Sequence, residues 1–280
     1  MNSTIRRAAT AALTLPLGLG MAALAAPAAS AAPGKPAAKP NPVQQLAAKA
    51  KVRSMKSANA AELPPVSWRD CPGVIPPGVN PAEAYCMLLI TNAGEITMGK
   101  IQQPISGTMT ITLLSYNDPE TKAEVAKLVK VRSPKMRVPG GALGIPGSDD
   151  IVPLLRLDAQ TEVDKVDLNL LNMRVGLDMR VKVHNPLLGD KCYIGSKDKP
   201  VSLNLAIDPT KLEYINSQPP LLKAEATDNA FVVPAAKGCG LVDPIVNWRA
   251  GLSSKAGANK AKMVSYIVGK SYQELAAARR

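Results

Sequence analysis

The sequence has very few aromatic side chains. Only 3% of its 280 residues are aromatic, and Phe231 is the single phenylalanine. Single-stranded nucleic acids bind to stacked aromatic faces, and sugar sites use similar platforms, so neither ligand class is expected. Paired carboxylates of a glycosidase would lack the same platforms. The hydrophobic core must therefore consist mainly of Val, Ile, Leu and Met.

Histidine and metal-binding cysteine pairs are also scarce. His184 is the only histidine and no Cys-x-x-Cys pair is present, so a zinc site is not expected. A Gly-x-Ser-x-Gly nucleophile elbow is missing as well. We interpret His184 as a structural residue bonded to a turn carbonyl. The alternative is a secreted hydrolase whose site combines His184 with a distant serine and aspartate.

Two other patterns suggest ligand sites but lack the required spacing. The acidic pairs Asp149-Asp150 and Asp164 with Asp167 do not match a calcium-binding loop. The glycine-rich stretch 139–147 has neither a Gly-x-Gly-x-x-Gly spacing nor a Lys-Ser ending, so turn chemistry explains it better than phosphate binding. We expect no metal site and no cofactor.

The N-terminus has the pattern of an export signal. Arg6 and Arg7 precede an Ala/Leu-rich stretch at 8–26, and Ala29-Ser30-Ala31 supplies the small residues that a signal peptidase accepts. A retained anchor would need about 20 uninterrupted apolar residues, whereas prolines interrupt this stretch. We predict a signal peptide over 1–31, cleavage between Ala31 and Ala32, and a secreted product without a transmembrane segment.

A basic arm follows the predicted cleavage site. The formal net charge of the chain is +12, and loss of the signal would leave +10. Half of that excess lies in the Ala/Pro/Lys-rich segment 32–65, which has six basic residues against Glu62 alone. We predict a flexible arm with a short helix near 44–50. Its charge suits loose attachment to an anionic cell wall or membrane surface, whereas nucleic acid is a poor partner for an exported protein.

The chain has four cysteines, an even set for an oxidising compartment, which favours two disulfides. Three pairings are possible, and we favour Cys71 with Cys86 and Cys192 with Cys239. The first would close a Pro/Gly-rich loop. Restricting that loop in the unfolded chain should stabilise the folded state by about 3 kcal/mol. The second would join distant segments.

Period-two alternation dominates the region 66–270, which we predict to be one disulfide-bonded β domain followed by a tail at 271–280. Segments 108–114 and 174–183 alternate apolar and polar residues, as half-buried antiparallel strands do. The apolar run 86–90, turn residues at 91–94 and alternation at 95–99 predict a hairpin. Apolar spacing in 121–131 predicts a short amphipathic helix or an insertion. The fold class expected is mainly β, an antiparallel β-sandwich or partly open barrel with at most one or two short helices.

Several long phrases resemble a functionally uncharacterised family of secreted proteins from high-GC Gram-positive (actinobacterial) bacteria. The phrases are NPLLGDKCYIGS at 185–196, DNAFVVP at 228–234 and GCG at 238–240, and the resemblance spans roughly residues 66–268. It implies export and a bridge between Cys192 and Cys239, and it implies no activity. The charged residues at 197–199 depart from the Asn/Ser-rich stretch expected there.

These observations favour a non-catalytic protein, secreted or associated with the cell envelope, that serves as a binding or structural module. The sequence does not identify its ligand. The hydrolase around His184 remains the alternative.

The export hypothesis makes a direct prediction about the mature N-terminus. Mass spectrometry of the secreted protein should find a chain that begins at Ala32, because the −1 position of the cut accepts only small residues. Ala31→Arg should therefore prevent cleavage there, whereas Ala32→Ser should leave it unchanged. Secreted protein that still begins at Met1 would contradict the assignment.

Overall fold

A computed structural model describes residues 42–49, 54–55, 63–215 and 217–278. All of these belong to one compact unit. The predicted cleavage site at Ala31 and Ala32 lies outside the described residues. None of the described helices has the length and apolar character needed to span a bilayer.

The described residues form fourteen strands and four short α-helices, so helices are more numerous than the one or two expected. The strands are β1 (Ser54–Met55), β2 (Tyr85–Met98), β3 (Ile101–Pro104), β4 (Met109–Asn117), β5 (Glu124–Arg132), β6 (Met136–Arg137), β7 (Asp158–Asn169), β8 (Arg174–His184), β9 (Tyr193–Ile194), β10 (Val201–Ile207), β11 (Glu213–Ile215), β12 (Leu221–Asp228), β13 (Ala236–Lys237) and β14 (Lys260–Ser271). The helices are α1 (Pro42–Lys49), α2 (Ser148–Ile151), α3 (Asp243–Ala250) and α4 (Tyr272–Ala277).

Eight long strands form a meander that curls back on itself. The antiparallel pairs follow the order β5, β4, β2, β14, β12, β10, β8 and β7, so that the first long strand, β2, pairs with the last, β14. Cα atoms of the outermost strands β5 and β7 come within 8 Å of each other, but no ladder joins them. The result is a partly open barrel, which is one of the two predicted architectures.

The inner face of the curled sheet forms the main core. Strand β8 alternates as the sequence predicts, with Val175, Leu177, Met179, Val181 and Val183 buried. Side chains of β2, β4, β10, β12 and β14 complete this cluster. Burial of each large aliphatic side chain contributes roughly 1.5–3 kcal/mol, so this face accounts for most of the apolar stabilisation.

A second cluster covers the outside of β2 and β14. Segment 63–84 and helix α4 pack over Cys86, Leu88 and Ile90 of β2 and Val268 of β14. Strand β2 is therefore buried on both faces along its first half. This double burial explains the continuous apolar run at 86–90, because a strand without a solvent face has no reason to alternate.

The predicted hairpin within β2 is wrong. Residues 91–94 continue the strand, and the tight turn falls at Gly99 and Lys100, between β2 and β3. The turn-forming residues at 91–94 lie at a β-bulge. The ladder between β2 and β14 skips one residue of β2 there. A Cβ atom at Gly94 would lie 2.1 Å from the Lys262 carbonyl oxygen, so the strands approach too closely for any side chain.

The predicted helix in 121–131 is also wrong, since Glu124–Arg132 form β5. Strand β4 pairs with every residue of β5 except Val129, which is skipped where the register shifts between Thr112 and Leu113. That shift disrupts simple alternation and produces the apparently helical spacing. Valines at 125, 129 and 131 are better suited to a pleated surface than to a helix.

The β domain extends beyond the predicted limits of 66 and 270. Part of the predicted arm, helix α1, buries Val43, Leu46 and Ala47 in the main core. Part of the predicted tail forms α4, which buries Tyr272 and Leu275 in the second cluster. The short helix expected near 44–50 is thus present, but it is a structural element of the domain.

Both disulfides have the favoured pairing. Cys71 is bonded to Cys86 with a Cα separation of 5.8 Å, and Cys192 is bonded to Cys239 with a Cα separation of 4.2 Å. The first bridge attaches the outer segment to β2. The second joins the loop after β8 to the loop after β13, 47 residues further along the chain.

The position of α1 predicts how substitutions there affect stability. Leu46→Ala should lower the free energy of unfolding by about 2–3 kcal/mol, because Leu46 is only 3% exposed and its loss leaves a cavity. Ala48→Gln, on the exposed face of the same helix, should change it by less than about 0.5 kcal/mol. Urea unfolding followed by circular dichroism measures both. Equal stability of the two variants would show that α1 does not contribute to the core.

Candidate functional site

Within the part of the chain that the structure describes, the space found inside the barrel is too small for a ligand. Facing residues of β2, β8, β10, β12 and β14 surround a space of about 20 Å³. Thr91 and Ser265 share a buried hydrogen bond of 2.8 Å between their hydroxyl oxygens beside it. Such a space holds about one water molecule, whereas small-molecule sites typically measure about 300–1,000 Å³. The barrel therefore serves as a scaffold, and the candidate site lies on its surface.

His184 ends β8, at the junction of strand and turn that the sequence predicts. Its Nε2 atom lies 3.1 Å from Oε1 of Gln160, a side-chain amide rather than the expected turn carbonyl. Gln160 also donates a hydrogen bond to the carbonyl of Ser133 at 2.8 Å. Burial lowers the pKa of His184 below its usual value, and Lys135 and Lys182 lower it further.

This environment does not match the triad of a serine hydrolase. Among the described residues, neither a serine hydroxyl nor a carboxylate is hydrogen bonded to His184. A triad carboxylate stabilises the imidazolium that forms during catalysis, and the neutral Gln160 amide provides no such charge. The lowered pKa also disfavours the protonated ring.

Three of the four acidic residues weighed as calcium ligands, Asp149, Asp150 and Asp164, bind arginines. Asp149 accepts a hydrogen bond of 2.7 Å from Nε of Arg137, and the same guanidinium binds Asp150. This ion pair lowers the pKa of the buried Asp149 carboxyl. Asp164 forms an equivalent pair with Arg180 across β7 and β8.

One end of the barrel concentrates the exposed apolar side chains. We call it the α3 end, meaning the segments 99–108, 133–157, 185–200 and 229–260. Ten of the eleven large exposed hydrophobic residues of the described chain belong to it, and Val74 is the exception. The ten are Leu143, Ile145, Ile151, Val152, Leu154, Leu187, Val232, Leu241, Ile245 and Trp248. Soluble proteins rarely gather exposed hydrophobic residues in this way unless the surface binds something.

Helix α3 and the turn before it have apolar residues on two faces. Val242, Val246 and Ala250 pack toward the main core. Leu241, Ile245 and Trp248, spaced four and three residues apart, are 100%, 62% and 74% exposed on the other side. Residues at this spacing share one helix face, so α3 presents an apolar stripe to solvent while its opposite face anchors it.

The side chain of Asn247 fixes the position of α3. Its Oδ1 accepts a hydrogen bond of 2.7 Å from the backbone nitrogen of Ala236, and its Nδ2 donates one of 2.9 Å to the carbonyl of the same residue. Asp243 accepts a further hydrogen bond of 2.7 Å from the backbone of Cys239. The helix is therefore connected to β13 and to the Cys192–Cys239 bridge.

Asn259 holds the remaining loops of this end together. It is fully buried, and its Oδ1 accepts hydrogen bonds from the Gly99 nitrogen at 2.9 Å and from the Ser254 hydroxyl at 2.6 Å. Its Nδ2 donates to the carbonyls of Phe231 and Lys255 at 2.9 and 3.0 Å. All four hydrogen-bonding positions of the amide are satisfied, which favours a single loop arrangement.

The loop at 138–157 contacts both neighbouring segments. The Asn185 amide donates hydrogen bonds to the carbonyls of Leu154 and Arg156 at 2.7 and 2.8 Å. At Gly144, a Cβ atom would lie 2.8 Å from the Arg249 guanidinium of α3. The exposed apolar residues of this loop, of the turn after β8 and of α3 thus belong to one continuous surface.

A surface groove of about 610 Å³ lies between two of these loops. Residues 187–191 form one wall and residues 238–242 the other, and the Cys192–Cys239 bridge joins them. Two phrases that carry the family resemblance, at 185–196 and 238–240, therefore face each other. A side chain at Gly238 would meet the Lys191 carbonyl oxygen at 2.1 Å, which explains glycine at that position.

The α3 end is also basic. Its four segments contain eleven Lys and Arg residues against five Asp residues. Lys100, Lys191, Lys237 and Arg249 form no ion pair with any described residue, whereas Asp149 and Asp150 both pair with Arg137. Loops at the opposite end, 118–123, 170–173 and 208–220, contain four acidic and two basic residues.

Comparisons of the chain with models of protein families, with curated proteins and with solved structures find no match. The chemistry of the site must therefore be inferred from its geometry alone.

The sequence predicts the Cys192–Cys239 disulfide of this region but did not indicate the exposed apolar surface of the α3 end. A signal was present in the order Leu241, Ile245, Trp248, which gives an apolar stripe at helical spacing. It was masked because Val242, Val246 and Ala250 supply a second stripe, and both together look like a helix without a polar face. Only the packing of Val242 and Val246 against the core shows that the stripe of Leu241, Ile245 and Trp248 is exposed.

The lowered pKa of the single histidine predicts a specific pH dependence of stability. Between the folded pKa and the unfolded value of about 6.5, the unfolded chain binds more protons, so stability rises with pH. Stability should therefore be complete above the unfolded value and decrease as the pH falls toward about 5. His184→Gln should remove this decrease in urea unfolding experiments. An NMR-measured pKa of His184 above its usual value would contradict the assignment.

Proposed function

We propose that this protein is an exported, non-catalytic binding module of the extracellular space or cell envelope, and that the α3 end is its binding surface. The observation behind the proposal is the gathering of ten exposed apolar side chains on loops held by hydrogen bonds and a disulfide. Fixing the loops in advance reduces the entropy lost on binding.

Three further observations support the proposal. The two disulfides suit an extracellular or otherwise oxidising environment. The space found inside the barrel measures only about 20 Å³, which favours binding on the outside. The N-terminal pattern that ends at Ala31 matches an export signal.

The hydrolase hypothesis has less support, because the His184 ring is bonded to Gln160 and not to a catalytic partner. A serine-directed phosphonate probe distinguishes the two functions. Labelling of the folded protein that His184→Ala abolishes would favour the hydrolase over the binding module.

Binding through the α3 end predicts how the protein distributes between culture medium and envelope. In cells producing the full chain, Leu241→Ser with Trp248→Ser should reduce the ratio of envelope-bound to released protein by at least about tenfold, since each lost apolar contact is worth roughly 1.5–3 kcal/mol. Quantitative immunoblots of the fractions measure this ratio.

Val74→Ser is the matched control, because Val74 is 83% exposed but lies outside the α3 end. It should leave the ratio unchanged. A wash at about 1 M salt removes protein held only by charges of the basic arm at 32–65. Unchanged envelope binding of the double variant after this wash would overturn the proposal.

A further inference from the structure

The exposed apolar side chains of the α3 end lie on several separate elements of the chain. They occur on the loop at 138–157, on the turn at Leu187, on Val232 and on the stripe of α3. A rigid protein partner would need a matching pocket for each of these elements. A lipid bilayer accommodates such elements without a preformed shape, because its headgroup and acyl boundary is fluid.

The α3 stripe has the composition of a helix that lies at a membrane interface. Trp248, which prefers the headgroup level, is flanked by the aliphatic residues Leu241 and Ile245 on the same face. The inner face of α3 is packed in the core, so the helix can lie along a membrane but cannot insert fully. The expected mode is shallow insertion of side chains.

The charge of this end supplies the second requirement for interfacial binding. Lys100, Lys191, Lys237 and Arg249, which form no ion pair with a described residue, are all exposed at the α3 end. Lys191, Lys237 and Arg249 lie in segments that also bear the exposed apolar residues. Anionic lipid headgroups attract each such residue, which changes affinity by about fivefold per lysine or arginine. The opposite end has an acidic excess, so the molecule also has an electrostatic orientation.

We propose that the α3 end docks on an anionic phospholipid bilayer, with Leu241, Ile245 and Trp248 in the interface and the unpaired basic residues against the lipid headgroups. This inference rests on the proposed function and names the partner of that surface.

The test uses Trp248 as a reporter of its own position. The other tryptophan, Trp68, is packed in the second cluster, and Trp68→Phe leaves Trp248 as the sole emitter. Mature protein is mixed with vesicles of phosphatidylglycerol and phosphatidylcholine, or of phosphatidylcholine alone. We expect the emission of Trp248 to shift to shorter wavelength with the anionic vesicles, and brominated lipid to quench it. If Trp68→Phe does not fold, flotation of the wild-type protein with the same vesicles replaces the fluorescence measurement.

Matched variants separate the apolar from the electrostatic contribution. Leu241→Ser with Ile245→Ser should reduce vesicle binding by at least about tenfold, whereas Val74→Ser should not. Lys191→Gln with Lys237→Gln should reduce it by about 25-fold at low salt, whereas Lys122→Gln with Lys127→Gln, away from the α3 end, should have little effect.

Each other outcome overturns the proposal in a distinguishable way. Flotation with vesicles without a change in Trp248 emission or sensitivity to the α3-end variants would assign lipid binding to the basic arm. Absence of vesicle binding, with envelope association still dependent on Leu241 and Trp248, would indicate a protein or glycan partner and leave the proposed function intact. Absence of both would refute both.

Discussion

The ladder between β2 and β14 is the constraint on which the rest of the structure depends. It pairs the first and last long strands and brings the two ends of the meander together. Because β3 follows β2 and α3 precedes β14, the same ladder brings the β2–β3 turn against α3. The backbone nitrogen of Lys100 then donates to the Ala250 carbonyl at 2.8 Å, and Asn259 reaches Gly99. Closure of the sheet and assembly of the α3 end are therefore one event.

The two ends of the barrel have different roles. At one end α1 packs on the main core beside Gly269, and the neighbouring loops carry a small acidic excess. At the other end the loops are longer, more basic and more apolar, and hydrogen bonds of Asn247 and Asn259 hold them in place. This division is typical of proteins in which a rigid scaffold positions functional loops. It supports a binding function at the α3 end, with the filled interior contributing stability.

Much of the scaffold could be predicted from local pattern. Strict alternation over 174–183 identified β8, and alternation over 108–114 identified β4, because strands with one buried face repeat every two residues. Prediction failed at β2 and β5. A bulge interrupts the two-residue period in each strand, and burial of the first half of β2 on both faces removes its alternation altogether. The α3 end could not be predicted either, since a residue such as Trp248 is equally suited to a core until the neighbouring chain is placed.

The export pattern, the even set of cysteines, the β-rich class and the aliphatic core can all be read from the sequence, because they follow from composition and from the period of neighbouring residues. Tertiary structure decided the pairing of β2 with β14, the inclusion of α1 and α4 in the domain and the exposure of one face of α3. These features depend on contacts between residues far apart in the chain. The exposure of Leu241 depends on which residues pack around it, and those residues cannot be identified from the local sequence pattern.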